Sequence, residues 1–122
     1  MDKKETAVKF LRTIVARRID EAYDRYTHPN FIHHNQHSKG DRESLREAMR
    51  EAHDQFPDTK IDVRHVYQDG ETVIVHSLVE LLPGGPSLAV VHIARFEGDK
   101  IAEFWDLGQE IVANSPNQRG PF

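Results

Sequence analysis

Cysteine is absent from this chain. That excludes disulfides, thiol nucleophiles and every zinc site built on thiolate, so a metal would have to rest on imidazole and carboxylate ligands. Long apolar runs are absent too: no stretch approaches the ~20 residues needed to span a bilayer. The opening "MDKKETAVKF" carries acidic residues and lacks the apolar segment of a secretory signal. These features argue against a membrane and give a cytoplasmic location as the expectation. A clustered basic face is also missing. The formal net charge is -4 with Lys and Arg scattered, which is not what a phosphate backbone requires, so nucleic acid is excluded as a partner.

What is abundant is histidine, with eight in 122 residues. Imidazole titrates near neutral pH, so candidate chemistry is sought around these residues first. Three of them fall in "NFIHHNQH", Asn30 to His37. The length suits one domain, residues 1–122, and the apolar and charged fractions are those of an ordinary globular protein.

Helical periodicity fills the first half. Ala7, Phe10, Leu11, Ile14 and Val15 make one apolar stripe between residues 3 and 18. Ile19, Ala22, Tyr23 and Tyr26 make a second, closed by "THP". Leu45, Ala48, Met49, Ala52 and Phe56 make a third, with Asp41 as the expected N-cap and Pro57 as the stop. Beyond Pro57 the period becomes strand-like. Four β-rich runs, roughly 59–68, 71–82, 87–97 and 100–112, are separated by "DG", "PGGP" and "GD", which predicts an antiparallel meander. Residues 109–122 are polar and turn-rich and are expected to run extended over the surface or a neighbour.

The second and third strands are apolar at both parities, so both faces of the sheet should be covered. Three helices can cover one face. A second copy of the chain is the simple cover for the other, which predicts a homodimer through the outer sheet face.

Register decides which histidines can meet. Two-residue turns at Asp69–Gly70 and Gly98–Asp99 would oppose His76 to Val63, Ile74 to His65 and His92 to Trp105. The middle turn leaves two possibilities. A three- or five-residue loop pairs His76 with His92, whereas a four-residue loop puts them on opposite faces. The first choice gathers His65, Tyr67, Ile74, His76, His92 and Trp105 on one apolar, aromatic face. It leaves Val75, Val91, Ile93, Phe104 and Asp106 on the other, with Asp106 in a structural role. An apolar concavity with a few convergent polar groups has the character of a small-molecule site.

"FIHHNQ" between the second and third helices and "GDKIAEFWDLGQ" on the last strand resemble the SnoaL-like, polyketide cyclase-like group of the nuclear transport factor 2-like superfamily, over nearly the whole chain. The resemblance implies a cone-shaped α+β fold, three N-terminal helices on a curved antiparallel sheet enclosing a deep apolar pocket, and often a dimer. It also implies cofactor-independent acid/base chemistry of isomerase, aldol cyclase or lyase type. By position, His34 and Asn35 match the family's His-Asn pair, His76 matches its histidine on the second strand of the sheet, and Trp105 and Asp106 match its Trp-Asp. His92 departs from the pattern, standing where the cyclases would carry their acid/base aspartate.

The expected site therefore comprises His34, His76 and His92 as catalytic groups. Asn35, Trp105, Tyr26 and Tyr67 are its substrate-binding residues. His76 or His92 would move a proton α to the carbonyl of a small apolar compound, and His34 and Asn35 would hold the oxyanion. No cofactor and no metal are expected. The alternatives are a ligand-binding or accessory protein of the same fold, or a hydrolase with His34, His76 and His92 around zinc.

Overall fold

The computed structural model describes residues 1–122 as three helices and five strands: α1 (Lys3–Val15), α2 (Ile19–Tyr26), β1 (Thr27–His33), α3 (Arg42–Gln55), β2 (Lys60–Asp69), β3 (Thr72–Glu80), β4 (Ser87–Glu97) and β5 (Lys100–Glu110). The helices begin where side chains can satisfy free backbone amides. Asp2 accepts from the Glu5 amide, and Asp41 accepts from the Ser44 amide as the sequence predicts. Each apolar stripe is buried inward: Phe10, Leu11 and Ile14 from α1, Ala22 and Tyr23 from α2, and Leu45 from α3. No helix is long and apolar enough to cross a membrane.

The sheet runs β1-β5-β4-β3-β2. β2 to β5 form the expected antiparallel meander, but β1 adds a fifth strand, parallel to β5 at the edge. The segment that ends α2 does not become a loop. Pro29 has no amide to give a ladder and is tolerated on an edge strand, where one side pairs with nothing. Phe31 and His33 point inward from this strand and Ile32 points outward.

Two bulges and one long loop set the register. Asp69 pairs with Thr72, so the first turn is Gly70–Glu71, with Gly70 at φ 58° supplying the left-handed residue. Further along, a bulge at Arg64 turns Val63 to the face of Ser77 while His65 stays opposite His76. Glu80 pairs with Ser87 across a loop longer than any of those considered above. The third turn is at Gly98–Asp99 as expected, but a register shift follows it, so His92 pairs with Asp106 and Ile93 with Trp105.

The consequence is a re-sorting of the two faces. His76 pairs with Val91, and Val75 with His92, so the two histidines lie on opposite sides of the sheet. The inner face carries Val73, Val75, Ser77, Val90, His92, Ala94, Phe104 and Asp106. It packs on the helices through a core in which Phe10 meets Tyr23 and Phe104 edge-on. The outer face carries His65, Tyr67, Ile74, His76, Leu78, Val91, Ile93 and Trp105. The tail crosses to this side, where the Phe122 ring rests against His76 at 5.0 Å and beneath the Arg64 guanidinium at 4.8 Å.

Candidate functional site

The largest concavity, about 800 Å³, is an open cleft where the β1–α3 loop meets the ends of β4 and β5. β1 pairs with β5 only as far as Phe104, and the His34 amide donates to the Phe104 carbonyl at 3.0 Å. Beyond that point the edge of β5 is free. Asp106 and Gly108 from its inner face and Trp105 and Leu107 from its outer face therefore all line the cleft. Leu88, Val90 and His92 supply the floor from β4, and the loop supplies His34, Asn35, Gln36 and His37. No lysine or arginine lines it, and Asp106 is its one carboxylate.

The loop is fixed from below by His33. Its ring is buried and bridges the loop. One nitrogen, Nε2, lies 2.5 Å from the Lys39 carbonyl, and Nδ1 accepts from the Asn35 amide at 3.1 Å. A ring that accepts at Nδ1 must carry its proton on Nε2, so Nε2 is the donor to Lys39. The same loop then orients Asn35, whose carbonyl oxygen accepts from the His37 amide at 2.9 Å. That leaves the amide nitrogen to donate to both oxygens of Asp106, at 3.0 and 3.2 Å. Asn35 thus holds a carboxylate and is not free to hold an oxyanion.

Opposite Asp106 stands His92. Directly paired residues on antiparallel strands have Cβ atoms ~5 Å apart on the same face. The His92 ring stacks over Phe104 with centroids 5.4 Å apart, so its lower side is apolar. Burial lowers its pKa from 6.5 to about 4, with the Asp106 carboxylate opposing the shift. His92 is therefore a neutral imidazole across the physiological range. Its Nδ1 is enclosed and unpartnered, which leaves Nε2 as the atom that reaches the cleft. Behind this pair, the Tyr23 hydroxyl donates to Met49 Sδ at 3.3 Å, and burial pushes its ionisation well above the usual phenol range.

Of the other expected site residues, His34 and Trp105 line the cleft, whereas His76, Tyr26 and Tyr67 lie away from it. His34 follows β1 on the outer side and forms the lip of the cleft, its ring stacked on Trp105 at 4.8 Å and 9°. Its Nε2 is 2.7 Å from a Glu103 oxygen, and Arg95 holds the other oxygen at 2.9 Å. These bonds, His34 first, hold the Glu103 carboxyl below its ordinary range. His76 is on the outer face beside His65, away from the cleft. Tyr26 is 6% exposed in the core, and Tyr67 is 58% exposed on the outer face, so neither lines the cleft. His34, His76 and His92 cannot share one ion across the sheet, and no group of three or more metal-binding side chains converges anywhere. Asp106 keeps the face of Val75 and Phe104 that the sequence predicts, and it is His92 that the register brings to this face, making Asp106 the site residue that sequence reasoning missed. Its membership of the "WD" pair was the signal that could have found it.

Residues 7–104 match the SnoaL-like domain family. The chain belongs to the SnoaL-like family. Among curated relatives of this SnoaL-like chain is Probable cyclase otaY of Aspergillus niger, 33% identical over 101 residues, which are 81% of this chain and 84% of that one. Among solved structures, an uncharacterised cystatin-fold protein from Novosphingobium aromaticivorans superposes with a TM-score of 0.75. It is 23% identical, covering 88% of this chain and 98% of its own. IdmH from Streptomyces antibioticus, proposed to be a polyketide cyclase, gives 0.74 at 16% identity, covering 89% and 93%. At these identities the structural matches establish a nuclear transport factor 2-like, cystatin-like α+β fold.

Proposed function

We propose that the cleft binds a small, uncharged, largely apolar carbonyl compound and that Asp106 removes a proton α to the carbonyl while His92 donates from Nε2 to the developing enolate oxygen. The observation that carries this reading is the direct pairing of a carboxylate with a neutral imidazole at the floor of a cleft free of cations. A carboxylate is a weak base for such a proton, and the reaction becomes accessible when a preorganised donor stabilises the oxyanion as charge develops. A neutral imidazole suits that task because it costs no proton and is set in place by the strand. Asn35 positions the base by holding both of its oxygens.

Enolisation of this kind is the step common to aldol cyclisation and to isomerisation. The name of the Aspergillus relative supports the former. The absence of lysine and arginine from the lining disfavours carboxylate and phosphate ligands, since Asp106 would repel them with nothing to compensate. The second reading, a binding protein without turnover, draws on the double hydrogen bond from Asn35, which occupies both oxygens of Asp106.

Deuterium exchange separates the two. A panel of neutral ketones and 1,3-dicarbonyl compounds incubated with the protein in D2O should show accelerated loss of α-proton NMR signals. Asp106→Asn should reduce that exchange at least ~100-fold, the usual scale of positioned proton transfer, and His92→Gln should slow it with little change in apparent KM. Compounds that bind, by ligand-observed NMR, without any exchange would establish the binding reading instead.

A further inference from the structure

Three buried side-chain polar atoms have no partner, His53 Nδ1, Ser77 Oγ and His92 Nδ1, and the last two belong to neighbouring residues on the inner face of the sheet. Ser77 is 0% exposed and its Oγ makes no hydrogen bond. His92 Nδ1 is likewise enclosed and unpartnered. The register makes them diagonal neighbours, since Val75 pairs with His92 and Ser77 with Val90. Diagonal side chains on one face of an antiparallel pair are within reach of one another when one of them is long. Apart from Asp106, which pairs with His92 at the cleft, the residues around them on this face, Val73, Val75, Val90, Ala94 and Phe104, have apolar side chains. Native interiors rarely leave a polar side-chain atom alone, and still more rarely two adjacent ones.

The chemistry of the two atoms is complementary once the proton on the imidazole is placed. Neutral imidazole carries one N–H. The nitrogen that reaches the cleft, Nε2, faces the side on which the Asp106 carboxylate stands, and a nearby negative charge favours a proton there. Nδ1 is then an acceptor and requires a donor from the interior. Ser77 is the one unpartnered hydroxyl on that face.

We propose that Ser77 is a positioning residue for His92: its hydroxyl donates to Nδ1 through one enclosed water and fixes the imidazole as the Nε2–H tautomer that the cleft uses. The role of the fixed proton rests on the reading of His92 as the donor to the substrate oxygen. The tautomer itself does not. A serine at this position thus does for the imidazole what Asn35 does for the carboxylate, and each of the two cleft groups has its own dedicated holder.

The test reads the ring directly and needs no substrate. Two-bond proton–nitrogen spectra of the uniformly 15N-labelled full chain at pH 7 report which nitrogen of each histidine is protonated. His92, assigned by its loss in His92→Gln, should give a single Nε2–H pattern. In Ser77→Ala the preference for Nε2–H should weaken by about fivefold, the equivalent of one neutral hydrogen bond, and Ser77→Thr should restore it. An Nδ1–H pattern in the wild-type protein, or an unchanged tautomer in a folded Ser77→Ala, overturns the proposal. If Ser77→Ala fails to fold, the wild-type pattern decides alone. Ketone exchange distinguishes the two levels: a tautomer controlled by Ser77 with no exchange on any ketone removes the catalytic reading and leaves the positioning role standing.

Discussion

His92 ties stability to pH in a way that can be worked out in sign. In the folded chain its imidazole stays neutral down to about pH 4, whereas in the unfolded chain it takes up a proton from about 6.5 downward. Between those values the unfolded state binds more protons, so acidification favours unfolding. Stability contributed by keeping the ring neutral is complete above pH 6.5 and declines as pH falls toward 4. A depression of this size corresponds to roughly 3 kcal/mol. Urea denaturation of the wild-type protein should therefore lose about that much more stability between pH 6.5 and 4 than His92→Gln, whose amide does not titrate. Parallel losses in the two proteins would show an ordinary, solvated imidazole. The same residue was singled out from sequence for its departure from the family pattern. Its pairing with Asp106 was hidden because a single-residue shift in register sends a strand's whole set of side chains to the other face, so that His92 stands opposite Asp106 and not Trp105.

Among the elements, the β1–α3 loop is the one on which the site depends, and its stability rests on His33. Replacing His33 with Ala removes the partners of the Lys39 carbonyl and the Asn35 amide together. Asn35 is half-buried and Lys39 is exposed, so the loss should cost about 1–3 kcal/mol. Chemical denaturation would measure that loss, and hydrogen exchange should show the Asn35 and His37 amides losing protection before α3 does. If the protection of Asn35 survives, the loop is held by its strand contacts and His33 is only filling space. The helices and four of the strands were legible in the sequence, since amphipathic stripes, an aspartate N-cap and the Gly98–Asp99 turn are local signals. β1 was not, because Pro29 and the polar residues beside it read as a terminator in isolation and become a strand only when β5 offers a free edge. The bulge at Arg64 and the shift beyond Arg95 have no local signature either. The long loop between Glu80 and Ser87 displaced the expected His76–His92 pair, and the shift beyond Arg95 set His92 opposite Asp106 in place of Trp105.

At the scale of the whole molecule, the outer sheet face is the feature a lone chain does not account for. Ile74, Leu78, Val91, Ile93 and Trp105 are only partly covered there, and Tyr67 and Leu107 are more than half exposed. The tail reaches only as far as His76 and Arg64 on this side. Contiguous apolar area of this kind on a protein with charged helices is where a partner is expected, and a second copy related by a two-fold axis would present the same face to it. The proposed homodimer can be tested without disturbing the cleft, because Val91 and Ile93 point away from the floor on which His92 stands. Val91→Glu would place an unpaired charge in the covered face, at a cost of about 3–5 kcal/mol per buried charge, and so weaken association by at least ~100-fold. Sedimentation velocity at micromolar concentration should show twice the chain mass for the wild-type protein and the chain mass for Val91→Glu. Circular dichroism should be unchanged, and ketone binding in the cleft should stay within a few-fold of wild type. A wild-type protein that sediments as a single chain would mean that the outer face is left to the tail and solvent, and the two-sided apolar patterning of β3 and β4 would then need another cover.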